Sequence, residues 1–155
     1  MDTTKLPIPT IVVDDDRLMR CLLTDLLNAA GFEVRTAGSC KQALTLFDEF
    51  PAELIICDWE LPDAAGIDLV RHVRYVQNIR RPFILMVSAH RTNLAVEQAL
   101  RAGANDYLAK PIRKDELIAR TQEIKNFQLL EQELAGPDLH GHITVSHGYY
   151  SLYAS

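Results

Sequence analysis

The chain has 155 residues, enough for one domain with one real core. Hydrophobic residues make up 48% of it and the formal net charge is -5, an ordinary globular balance that argues against a general nucleic-acid binder. No stretch reaches the roughly 20 apolar residues of a membrane span, and the N-terminus carries no apolar signal region, so a cytoplasmic protein is expected.

The pattern predicts a strand over Ile8–Val13 that runs into Asp14-Asp15-Asp16. Leu18, Cys21, Leu22, Leu26 and Leu27 follow at helical spacing, with Asp16 as N-cap and Gly31 closing the helix. Phe32–Ala37 alternates polar and apolar residues and reads as a strand nearer a sheet edge. Ser39, with Gln42 three residues on, caps a second helix whose inner face is Ala43, Leu44 and Phe47.

Residues 54–57 are apolar without interruption and lead straight into Asp58. Pro51 before and a Pro/Gly-bearing loop after (residues 58–66) favour a short buried strand over a helix. A helix from about Ile67 carries Leu69, Val70, Val73 and Val76 as its stripe. A fourth strand, residues 83–87, ends in Ser88-Ala89-His90. Residues 92–102 form a short helix closed by Gly103. Tyr107 and Leu108 open a fifth strand that ends at Ala109-Lys110-Pro111. The last helix spans residues 114–134, with Leu117, Thr121, Ile124, Phe127, Leu130 and Leu134 at three- and four-residue steps.

Strands alternate with helices across short loops, which implies right-handed crossovers and a parallel sheet covered on both faces. The first, third and fourth strands, apolar throughout, belong at its centre. Cys21, Cys40 and Cys57 lie within or beside apolar segments without metal or disulfide spacing, and read as reduced core thiols. Residues 136–155, with His140, His142, His147, Tyr149, Tyr150 and Tyr153, fit no element. They read as a linker stub or loosely packed tail, a strand or partner-binding arm, or least of all a histidine metal site.

The carboxyl ends of the strands supply Asp14, Asp15 and Asp16, then Asp58, Ser88 and Lys110. In a parallel α/β sheet this is the edge where ligands collect. Taken singly, each residue has a plainer reading: a helix N-cap, a loop serine, a solvated lysine. Together they make a hard, oxygen-lined site for Mg²⁺ beside a compact positive charge and a hydroxyl.

The chain resembles the receiver domain of two-component response regulators, the CheY-like family, from about Thr10 to Leu130. The resemblance is carried by Ile-Val-Val-Asp14-Asp15-Asp16, by Ile-Ile-Cys-Asp58-Trp-Glu-Leu-Pro62 with Gly66, by Val-Ser88-Ala89, and by Gly103-Ala-Asn-Asp-Tyr107 with Lys110-Pro111. Any one motif is weak; the four in this order are specific. The resemblance implies a three-layer doubly wound (βα)5 fold with a five-stranded parallel sheet in the order 2-1-3-4-5. It implies Asp58 as phosphoacceptor, Asp15, Asp58 and the Glu60 backbone carbonyl as Mg²⁺ ligands, and Asp14 as a ligand through water. Mn²⁺ substitutes for Mg²⁺ in this picture. Ser88 and Lys110 contact the phosphoryl group, Ala89 leaves room for it, Lys110–Pro111 is a cis peptide, and Ser88 with Tyr107 forms the switch.

Residues 1–135 are then the receiver and 136–155 a tail, with no output domain. The phosphodonor is a sensor histidine kinase or a histidine phosphotransfer protein. A downstream protein reads the helix 4–strand 5–helix 5 face, and a homodimer is a further option; neither nucleic acid nor membrane is contacted. Such a domain catalyses its own phosphorylation and slow autodephosphorylation without turning over external substrates. Three positions depart from or vary within the pattern: Ala65 stands where an acid is common, Trp59 follows Asp58, and Glu60 is charged. Two other readings compete. A pseudo-receiver would lack Asp58, the acidic pair or Lys110, and a haloacid dehalogenase-like phosphohydrolase would carry its nucleophile after the first strand.

Overall fold

The computed structural model describes residues 6–76 and 81–135. Its elements in order are β1 (Ile8–Val13), α1 (Arg17–Ala29), β2 (Phe32–Ala37), α2 (Cys40–Glu49), β3 (Leu54–Asp58), α3 (Gly66–Tyr75), β4 (Phe83–Ser88), α4 (Asn93–Ala102), β5 (Asp106–Ala109) and α5 (Lys114–Ala135). The expected alternation and boundaries hold to within a residue or two. The chain falls into two compact units, Met1–Ile112 with the sheet and α1–α4, and Arg113–Ser155 with α5. The histidines and tyrosines of 136–155 lie outside the described residues.

The strands form one parallel sheet in the order β2-β1-β3-β4-β5, the doubly wound arrangement expected. Its logic is visible in burial. Every residue of β3 and β4 is buried, whereas β2 is buried only at Phe32 and Ala37. Continuous apolar runs suit strands covered on both faces, and the alternating run goes to the edge. Alternate residues then divide between the faces. Ile11, Val13, Ile55, Cys57, Ile84 and Met86 pack with α2, α3 and α4 through Ala43, Ile67, Val70, Val73, Ala95 and Ala99. Leu54, Ile56 and Leu85 are buried outside that cluster, as are Leu23 and Leu27 of α1. Each such side chain contributes about 1.5–3 kcal/mol by leaving water.

Helix ends follow their local chemistry. Asp16 accepts from the Leu18 N–H at 3.0 Å, Ser39 from Gln42 at 3.2 Å and Thr92 from Ala95 at 3.1 Å. Gly103 closes α4 with φ 122°, a conformation open chiefly to glycine. Its carbonyl accepts from Arg74 Nε at 2.8 Å, and Arg74 Nη2 donates to Asn105 Oδ1 at 2.8 Å, which ties α3 to the start of β5.

Four expectations need correction. The inner face of α1 is Leu23 and Leu27, while Leu18 is 80% and Leu22 51% exposed. Both pairs are four residues apart, and the two stripes lie about 140° apart around the helix, so periodicity offers either face. Cys21 is exposed with the outer stripe, and only Cys40 and Cys57 are core thiols. Val76 lies beyond the end of α3 and is exposed, and Leu130 of α5 is exposed although Leu117, Thr121, Ile124 and Phe127 are buried.

Candidate active site

Sheet register builds the site. Val13 pairs with Cys57, so the next residues, Asp14 and Asp58, emerge side by side at the carboxyl edge. Asp58 in turn pairs with Val87, which sets Ser88 one residue further along β4. Ser88 pairs with Ala109, which sets Lys110 one residue beyond β5. From there the lysine must reach back past β4, and two strand spacings are about 10 Å. A long stem ending in a point charge meets that requirement.

Carboxylate oxygens of Asp14, Asp15 and Asp58 all lie within 4.8 Å of one another, with Asp14 and Asp58 buried and Asp15 exposed. Lys110 Nζ is 2.9 Å from Asp58 Oδ2 and 3.4 Å from Asp14 Oδ2. One ammonium therefore faces three carboxylates. Repulsion between two such charges at about 4 Å is on the order of 4 kcal/mol at an effective dielectric near 20. The electrostatics register this: burial, with the neighbouring Asp58 charge, pushes the Asp14 carboxyl above the usual range, against the pull of the Asp16 N–H and Lys110. Burial alone would lower the Lys110 pKa, but its hydrogen bond and charge pairing with Asp58, then Asp14, carry it above the ordinary value. The cluster is able to coordinate a divalent cation, and an all-oxygen donor set suits a hard one.

The surrounding main chain holds these groups in place. Asp14 Oδ1 accepts from the Asp16 N–H at 2.9 Å, and the Asp14 carbonyl accepts from Arg20 Nη1 at 2.8 Å. Asp58 Oδ1 accepts from the Glu60 N–H at 3.2 Å. Ser88 is buried, and its Oγ accepts from the His90 N–H at 3.0 Å. The Lys110–Pro111 peptide is cis, and the Lys110 N–H donates to the Ser88 carbonyl at 2.7 Å. Tyr107 lies inward, and its hydroxyl donates to the His90 carbonyl at 2.6 Å. Ala89 is exposed beside Ser88.

Several contacts around the site were not foreseen from the sequence. Trp59 packs edge-on against His90 and Tyr107, with ring centroids 5.4 and 6.4 Å apart. His90 Nε2 lies 3.8 Å from Glu60 Oε2, so the loops after β3 and β4 meet across the mouth of the site. Asp63, within the loop expected over residues 58–66, accepts from the Cys40 and Lys41 N–H groups. No local spacing marks such pairings, because the partners are distant in sequence. Cys57 sits next to Asp58 with Sγ 3.2 Å from the Asp58 carbonyl, but complete burial pushes its thiol far up and leaves it no nucleophile.

A family model for the response regulator receiver domain matches residues 10–122. The chain belongs to the response regulator receiver family. This receiver is 36% identical over 122 residues to the DNA-binding response regulator MtrA of Mycobacterium bovis, covering 79% of this chain and 51% of that protein. It therefore spans about half the length of that relative. It is 30% identical over 118 residues to the probable chemotaxis protein CheY of Rhizobium etli, covering 76% of this chain and 92% of that one. Among solved structures, the Francisella response regulator 1452 receiver domain matches with a TM-score of 0.70 at 30% identity, over 76% of this receiver and 95% of that chain. The acidic cluster of Asp14, Asp15 and Asp58 is of the kind found at a receiver phosphorylation site. No helix among the described residues is long and apolar enough to cross a membrane.

Proposed function

We propose that the protein is a phosphorylation switch whose Asp58 takes a phosphoryl group from a phosphohistidine. The observation that carries this reading is the convergence, at one sheet edge, of a buried aspartate, two further acids and a lysine within hydrogen-bonding distance. Residues 1–135 form the phosphoacceptor domain in this reading, and 136–155 its tail.

Asp58 Oδ attacks phosphorus in line; the new P–O bond forms as the P–N bond to histidine breaks, and the electron pair leaves with the imidazole. Lys110 moves with the transferring group, exchanging its carboxylate contact for phosphoryl oxygens and offsetting their charge. Ser88 turns its hydroxyl to donate to one of those oxygens. Asp14, Asp15, Asp58 and the Glu60 carbonyl would hold Mg²⁺, with Asp14 acting through water. A bound ion would supply positive charge against the charge of the transferring group. Hydrolysis of the resulting acyl phosphate returns the site to its starting state.

The readout is a shift between preexisting states. Tyr107 already lies inward, bonded to the His90 carbonyl, while the His90 N–H is bonded to Ser88. A hydroxyl drawn toward a phosphoryl group disturbs that pair of bonds, and the population of the Tyr107 position moves with it. The surface around α4 and β5 would carry the change to a downstream protein. Beryllofluoride with Mg²⁺ tests the coupling. The amide resonances of Ser88 and His90 and the Tyr107 ring signals should all shift. Spectra of this region that stay unchanged at saturating analogue would remove the switch.

A further inference from the structure

We propose that Asp63 is a positioning residue for the phosphoryl-transfer site, tying the loop that carries the Glu60 carbonyl to the first turn of α2. The inference rests on the function proposed above. The loop between β3 and α3, residues 59–65, must present Glu60 beside Asp58 and then reverse into α3. Its two ends are held by main chain. The Trp59 N–H donates to the Val87 carbonyl at 3.1 Å, the Gly66 N–H donates to the Trp59 carbonyl, and Glu60 bridges Ala65.

Between those ends, Asp63 adds two side-chain hydrogen bonds to α2. Its Oδ1 accepts from the Cys40 N–H and its Oδ2 from the Lys41 N–H, both at 2.9 Å. The partners are 23 and 22 residues away. These are the first two N–H groups of α2. The third, Gln42, goes to the Ser39 hydroxyl, and the fourth, Ala43, to the Ser39 carbonyl. An ordinary N-cap needs one side-chain acceptor, and Ser39 already provides it. The additional carboxylate therefore does for the loop what Ser39 does for the helix. Charge-assisted bonds at the positive end of a helix favour the ionised form, and the two N–H groups hold the Asp63 carboxyl below its usual range.

Without this anchor the middle of the loop keeps only the Glu60–His90 contact and the packing of Leu61, Ala64 and Ala65 on the core, and the Glu60 carbonyl is held less firmly. The test measures Mg²⁺ affinity by the fluorescence of Trp59, the single tryptophan, which adjoins Asp58. Asp63→Ala should weaken Mg²⁺ binding about tenfold, as loss of an outer-shell partner typically does. Asp63→Asn, which keeps one acceptor, should weaken it less. Ser39→Ala serves as control: it loosens the same helix end without touching the loop, and should lower the melting temperature while leaving Mg²⁺ affinity within twofold. Parent-like affinity in Asp63→Ala would overturn the inference, as would an equal loss in Ser39→Ala. A parent protein that shows no Mg²⁺ response at all would instead overturn the reading of the site, before any variant is compared.

Discussion

Gly66→Ala should cost the protein at least about 3 kcal/mol, the upper end of what overpacking a close-packed site exacts. A methyl group on Gly66 would stand 2.0 Å from the Asp58 carbonyl oxygen and 3.0 Å from Cys57 Sγ. The first of these is backbone at the end of a fully buried strand, so no rotamer change relieves it. Relief requires the first turn of α3 to move away from β3, and with it the hydrogen bond from the Gly66 N–H to the Trp59 carbonyl. That movement also drags the loop bearing Glu60. Against a total stability of roughly 5–15 kcal/mol, the loss should be plain in the urea midpoint. A midpoint shift equivalent to less than about 1 kcal/mol would show that α3 and the strand end are not held this closely.

Lys110→Ala should move two properties in opposite directions. Phosphorylation from a small phosphodonor should slow by about 10²–10³-fold, the usual penalty for losing one preorganised group that meets developing charge. Mg²⁺ affinity should rise, by about tenfold. The ammonium lies 2.9 Å from Asp58 and 3.4 Å from Asp14, so it is a cation already competing for the same oxygens. Its removal leaves the carboxylates with their repulsion and without the ammonium's counter-charge, which favours an added cation. A mass-resolved time course measures the first effect and Trp59 fluorescence the second. A slower reaction with weaker metal binding would mean that the variant has lost the shape of the site. An unchanged rate would reduce Lys110 to a structural ion pair.

Much of this architecture is legible in the residues themselves. The uninterrupted runs of β3 and β4 point to the sheet centre because only strands covered on both faces can be apolar throughout. Asp14, Asp58, Ser88 and Lys110 each end or follow a strand, and parallel register then leaves them little choice but to converge. What escaped has a common physical cause. The choice between Leu18/Leu22 and Leu23/Leu27 on α1 is settled by tertiary packing, since both pairs satisfy the same helical spacing. The exposure of Cys21 follows from that choice. The Asp63 anchor and the contacts of Trp59 with His90 and Tyr107 join segments that are distant in sequence, so no window of neighbouring residues contains both partners.

Incubation of the intact protein and its Asp58→Asn variant with a small-molecule phosphodonor and Mg²⁺, followed by mass spectrometry, tests the phosphoacceptor most directly. The parent protein should gain the mass of one phosphoryl group, and the variant, which keeps the side-chain shape without a carboxylate nucleophile, should gain none. Labelling of Asp58→Asn at the parent's level would place the acceptor on another residue and contradict the account.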